Sequence, residues 1–231
     1  MKLYGALASP YVARVVMFAD LKGLELPMEP APGGMGSDEY RKINATGKIP
    51  ALEVDGQCIA ESTVICEYLE SIHPEPALLP ADPMEQAQTR MVARMTDLYV
   101  APHNTPLTRM RGAGTRDQAV IDNGAAEFAK GFAYLEHFMG PGPFAAGATP
   151  TLGDCALAPF MVMLKRTVFP NFEEVIDPTV GDGRLATWWQ ALETHPVCKK
   201  NTDAYDEALE TFLKWLYDML AKRAAGKQAP G

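Results

Sequence analysis

Residues 47–62 read "GKIPALEVDGQCIAES", and this run sets how the chain around it folds. "PALEV" and "QCIAE" flank Asp55-Gly56, a two-residue turn of the kind that closes a tight β-hairpin. Pro50 has no N–H to give a ladder, so it stands at an edge or a bend rather than inside a central strand. Ser62 can cap a helix whose apolar stripe is Ile65, Tyr68, Leu69 and Ile72. A hairpin running directly into a helix is therefore expected here.

Working back toward the N-terminus, "KLYGAL" reads as a short opening strand. Ser9-Pro10 supplies an N-cap followed by proline at the first helical position. Val12, Val15, Val16 and Ala19 recur at helical spacing until Gly23 ends the run. "LELPMEP" alternates as a second strand, and strand-helix-strand order implies a parallel, right-handed crossover. After the glycine-rich "GGMGSDEY" a short helix is expected near residues 39–43. Residues 1–76 thus form an α/β unit of about four strands and three helices.

Working forward, residues 77–83 read as a linker, because prolines at 74, 76, 80 and 83 stiffen the chain and stop any helix. Residues 84–223 read as all-helical. Ile121, Ala125, Phe128, Phe132, Leu135 and Met139 alternate steps of four and three. Thr151-x-x-Asp154 has the form of a capping box, with Asp in the Glu position. The tail at 224–231 is expected to be disordered.

Composition narrows the function. The chain has 231 residues, 47% hydrophobic and 22% charged, with a formal net charge of −8. That sign argues against nucleic acid or an anionic membrane as the main partner. Cys58, Cys66, Cys155 and Cys198 show no metal-ligand spacing, so no metal is expected and all four read as reduced thiols. The longest strongly apolar stretch, "CALAPFMVML", is about half of the ~20 residues a spanning helix needs. A soluble cytoplasmic protein is expected.

Three short features carry chemistry, and each has a plainer reading. A cis Ile49-Pro50 bond would leave the Ile49 N–H and C=O free to pair with a ligand's peptide backbone. Only ~5–6% of X-Pro bonds are cis, so the stretch alone favours a trans proline at an edge strand. Ser62 at a helix start suits an anionic group and Glu61 an ammonium, together an α-amino acid head group; alone, capping explains Ser62 and solvation explains Glu61. Ser9 is either an N-cap or a hydroxyl placed to favour a thiolate at a helix N-terminus.

In their order along the whole chain, these features resemble the cytosolic glutathione S-transferases, in particular serine-type bacterial members. "SPYVARV" is similar to the serine-containing first-helix motif, "NATGKIPAL" to the cis-proline loop, "AESTVICEYL" to the Glu-Ser turn and third helix, and "TLGDCAL" to the late capping box. "ESTVICEYLESIHPE" is also locally similar to the bacterial β-etherase branch. The resemblance implies a thioredoxin-like α/β domain followed by an all-helical one, a cis Pro50 and glutathione as cosubstrate. It implies that Ser9 donates to the glutathione sulfur, that Lys48, Ile49 and Pro50 hold the cysteinyl backbone and a carboxylate, and that Glu61 and Ser62 hold the γ-glutamyl end. Some serine-type members place a Lys or His in the loop before the second helix; "GGMGS" offers no cation, so either affinity is weaker or Arg41, Lys42 or Lys48 compensates.

The resemblance implies thiolate attack on a small hydrophobic electrophile, with Tyr11, Tyr99, His103 and Met110 as candidates for the second-substrate pocket, and a detoxifying homodimer. A β-etherase or lyase, an isomerase, and a non-catalytic binding module are the alternatives. The "SSCS"-like opening of zeta-type isomerases is absent from "LASPYVAR", which places isomerisation behind conjugation. The glutaredoxin-type "CPYC" appears as "SPYV", so exchange through a mixed disulfide has no thiol at that position.

Overall fold

A computed structural model describes residues 1–227. The chain opens with β1 (Lys2–Tyr4), α1 (Pro10–Leu21), β2 (Met28–Glu29), α2 (Asp38–Arg41), β3 (Ala51–Val54), β4 (Gln57–Ala60) and α3 (Ser62–Ile72). The sheet order is β2-β1-β3-β4, with β1 and β2 parallel and the other pairs antiparallel. Leu3 faces Met28 on one side and Leu52 on the other. The second strand is only two residues long because Pro27 and Pro30 bracket it and neither can donate to a ladder. Asp55 and Gly56 both take positive φ, 49° and 79°, closing the β3–β4 hairpin as their residue types suggest.

The helical part comprises α4 (Pro83–Met95), a π-helical turn (Thr96–Val100), α5 (Ala101–Ala113), α6 (Gln118–Phe138), α7 (Leu152–Thr167), α8 (Arg184–Thr194) and α9 (Pro196–Lys227). Residues 224–227 continue α9, which corrects the expectation of disorder there; 228–231 lie outside the described residues. Met139 is the C-cap of α6 rather than its last turn.

α1 is the joint between the two parts. It packs on α3 on one side and on α7 and α9 on the other, so Val12, Ala13, Arg14, Val15, Met17, Phe18 and Ala19 are all buried. The apolar stripe read from sequence was one side of a helix that is enclosed almost all round. Residues 77–83 are also more than a spacer. Leu78 and Leu79 are buried, and both N–H groups donate to the Glu70 carboxylate. Lys22, its side chain fully covered, pairs with Glu70 at 2.7 Å and donates to Pro76 O.

Asp154 at the start of α7 organises the helical core. Its Oδ2 accepts from the Thr151 N–H and hydroxyl, and its Oδ1 from the Ala145 N–H and Trp188 Nε1, all at 2.7–2.8 Å. On α6, a Cβ at Gly131 would lie 2.3 Å from Tyr99 O, so only glycine lets the π-helical turn seat against that helix.

Candidate active site between the two parts of the chain

The loop before β3 is held by its own polar groups. Asn44, almost fully buried, accepts from the Thr46 N–H and hydroxyl through Oδ1 and donates to Lys48 O. Tyr40 also donates to Lys48 O, at 2.9 Å. Gly47 has φ +67°, and a Cβ there would meet Gly36 Cα at 3.0 Å. The Ile49-Pro50 bond is cis. Ile49 lies outside both ladders, and its N–H and C=O bond to none of the described residues.

Beyond the hairpin, Glu61 adopts φ 68° and ψ 116°, a region a non-glycine residue occupies only under strain. The turn delivers Ser62, buried, as the first residue of α3. Glu61, Ser62, Lys48, Ile49, Pro50 and Tyr11 all line one polar pocket of about 210 Å³. Burial and the nearby Asp97 raise the Tyr11 hydroxyl above its ordinary pKa.

Three further lining residues escaped the sequence reading: Thr46, Arg94 and Asp97. Asp97 lies on the π-helical turn and accepts both Nη groups of Arg14. Arg14 Nη1 also donates to Ser62 Oγ at 3.0 Å. A lone arginine inside an apolar helix stripe was the available signal; the identity of its partner was not. Of the cations considered for a carboxylate, Lys48 lines the pocket, whereas Arg41 donates to Gly36 O and Ala45 O.

Ser9 occupies the N-cap of α1. Its C=O accepts from Val12 and Ala13 at 3.0 and 2.9 Å, but its hydroxyl makes no cap hydrogen bond. Tyr11, two residues on, lines the polar pocket, while Ala8 and Pro10 line a second, apolar cavity of about 600 Å³ between α5, α7 and α9. Ser9 itself lines neither cavity, though its chain neighbours do.

The other residues assigned to the second-substrate pocket lie elsewhere. Tyr99 packs edge-on against Tyr134, His103 sits on Phe128 with Nε2 4.0 Å from Glu127, and Met110 is buried, its sulfur accepting from the Asp117 N–H. These positions face α6. Asn104, Thr108 and Gly112 form the neighbouring stripe of α5 and line the apolar cavity instead. Cys58 is exposed on β4, and Cys66 is buried in α3.

Two family models match the chain: glutathione S-transferase N-terminal domain over residues 3–77 and C-terminal domain over residues 118–191. The chain belongs to the glutathione S-transferase family. Among relatives of this transferase-family chain, maleylacetoacetate isomerase of Pseudomonas aeruginosa is 31% identical over 88% of this chain and 100% of its own. Protein LigF of a Sphingobium species is 45% identical over 34% of this chain and 32% of its own. The holo structure of a maleylpyruvate isomerase, described as a bacterial zeta-class glutathione S-transferase, superposes with a TM-score of 0.70 at 25% identity, covering 89% and 98% of the two chains. The fold is that of the family: a thioredoxin-like domain followed by a helical one. Among the described residues no helix is long and apolar enough to cross a membrane, and no cluster of His, Cys, Asp and Glu suits a metal.

Proposed function

We propose that the chain is a glutathione-dependent enzyme in which Ser9 holds the glutathione sulfur as a thiolate and presents it to a small hydrophobic electrophile. The observation that carries this reading is the Ser9 hydroxyl, unused as a cap at the positive end of α1, in a segment whose Tyr11 lines a polar pocket and whose Ala8 and Pro10 line an apolar cavity. Ile49 would pair with the cysteinyl backbone, with cis-Pro50 aiming both of its polar groups outward. Lys48 would meet the glycyl carboxylate. At the γ-glutamyl end, Ser62 would hold the carboxylate from a helix N-terminus, and Glu61 with Asp97 would accept from the ammonium.

Magnitudes support the assignment. A thiol of pKa ~8.5 lowered by two units needs about 2.7 kcal/mol of preferential stabilisation of the thiolate. One hydrogen bond to a charged group supplies roughly 1.5–3 kcal/mol. A helix N-terminus adds ~0.3–1 kcal/mol. No formal base is required.

The sulfur attacks an electrophilic carbon and forms a C–S bond. With an activated alkene the electron pair moves to the carbonyl oxygen. Protonation at carbon then completes conjugation, whereas rotation and expulsion of the thiolate completes cis–trans isomerisation. With an ether or halide the pair leaves on the oxygen or halogen. The names of the relatives support isomerisation at least as strongly as conjugation, which reverses the order expected from the missing "SSCS" opening. We also read the protein as a homodimer.

The decisive measurement compares pH–rate profiles of wild type and Ser9→Ala with 1-chloro-2,4-dinitrobenzene. Wild type should keep its rate to lower pH, and the two curves should converge as pH approaches that of the free thiol. Superimposable profiles would remove Ser9 from the chemistry. With maleylacetone, loss of the cis isomer without consumption of glutathione identifies isomerisation; loss of glutathione identifies conjugation.

A further inference from the structure

The apolar cavity has a charge pattern that selects its occupant. Six α9 residues line it across about three turns, Leu209, Phe212, Leu213, Leu216, Tyr217 and Leu220, and Met163 of α7 lines it as well. Phe212 and Leu220 remain 41% and 37% exposed, apolar surface that an occupant would remove from water. At about 600 Å³ the cavity falls in the middle of the range for drug-sized ligands, roughly 300–1,000 Å³.

The polar lining is largely committed. The Thr108 hydroxyl donates to Asn104 O, and the Thr167 hydroxyl donates to Met163 O and approaches Asn104 Oδ1. Arg109 is different. It lines the cavity from α5, is exposed, and makes no hydrogen bond or ion pair with the described residues. None of the described lining residues is acidic. A guanidinium with both faces of its fork unused suits a carboxylate, which it can meet through two parallel N–H···O bonds.

We propose that the second substrate is an amphiphile: an elongated apolar body lying along α9, with one anionic group on Arg109. The substrate class rests on the glutathione reading above, since Ala8 and Pro10 bring the body beside Ser9. A small dicarboxylate fits poorly. Among the described lining residues Arg109 is the one cation, so the second charge would face leucines, and an unpaired charge leaving water is strongly unfavourable.

Calorimetric titration of the full chain with biphenyl-4-carboxylate, 4-biphenylmethanol and maleate tests this without requiring turnover. The carboxylate should bind about fivefold more tightly than the alcohol, the size expected for an exposed ion pair, and the ratio should shrink in added salt. Arg109→Gln should abolish the ratio, and Arg109→Lys should restore part of it. Equal binding of acid and alcohol by wild type, a ratio that survives in Arg109→Gln, or maleate as the tightest ligand would each overturn the proposal. A separate titration with glutathione keeps the two readings apart. Absence of glutathione binding alongside the expected probe ratio would sink the glutathione reading alone, and the reverse pattern would sink the substrate class alone.

Discussion

Arg14 of α1 donates to both carboxylate oxygens of Asp97, at 3.0 and 2.5 Å, from a position only 1% exposed. The pair ties the α/β part to the helical part, and its third hydrogen bond, to Ser62 Oγ, reaches the rim of the polar pocket. It thus joins folding of the interface to placement of the α3 N-terminus.

Breaking this pair on one side should be costly. Arg14→Met leaves Asp97 and Ser62 without their donor, and a broken buried pair costs about 3–5 kcal/mol; Asp97 is 19% exposed on its side chain, which places the change toward the lower figure. The double variant Arg14→Met with Asp97→Leu should recover part of the loss, because no charge is then stranded. Urea unfolding of the set checks this. A double variant less stable than either single one would show that the pair does not act as a unit.

Glu61 combines a strained backbone with a pocket-lining carboxylate, and two substitutions separate these roles. Glu61→Ala keeps the strain and Glu61→Gly relieves it, so the glycine variant should be more stable by about 1 kcal/mol. Both should lose most of the glutathione-induced rise in melting temperature, which arises by linkage to the folded state. A full thermal shift in either variant would reject the γ-glutamyl assignment.

The homodimer reading has a direct check. The Arg90–Glu67 pair joins α3 to α4, and these helices leave Val64, Ile72 and Met84 exposed. Sedimentation at micromolar concentration should report twice the mass of one chain; a single-chain mass would reject the reading.

Three of the four thiols should be inert in the native protein. Burial pushes Cys66 and Cys198 up to about 12 and Cys155 well above its ordinary value, whereas Cys58 is exposed and raised less. A disulfide reagent should therefore modify one thiol in the folded chain and four in denaturant. The linkage has a definite sign. A thiol raised from its ordinary value of 9.0 to about 12 contributes fully below pH 9, and its contribution falls as pH climbs toward 12, because only the unfolded chain ionises there. Cys66→Ala should flatten the loss of stability above pH 9 by up to ~1.4 kcal/mol per pH unit. An unchanged slope would refute the raised value.

Local chemistry made much of the architecture legible. Asp55-Gly56 could hardly be other than a hairpin turn, Ser9-Pro10 announced α1, and the spacing from Ile121 to Leu135 announced α6. Each depends on groups within a few residues of one another, so a string of residue types is enough to read it. The candidate glutathione pocket was legible only through the family resemblance, because the residues alone favoured a trans Pro50, a capping Ser62 and a solvated Glu61.

What the string did not contain was the facing of α5 and the partner of Arg14. Tyr99, His103 and Met110 share a helix with Asn104, Thr108 and Gly112, and only packing against α6, admitted by Gly131, decides which stripe meets the apolar cavity. Asp97 stands 83 residues from Arg14, brought to it by the stacking of α1 against the helical part. Both outcomes depend on where a whole helix face is buried, and that is set by contacts between elements rather than by the residues within one.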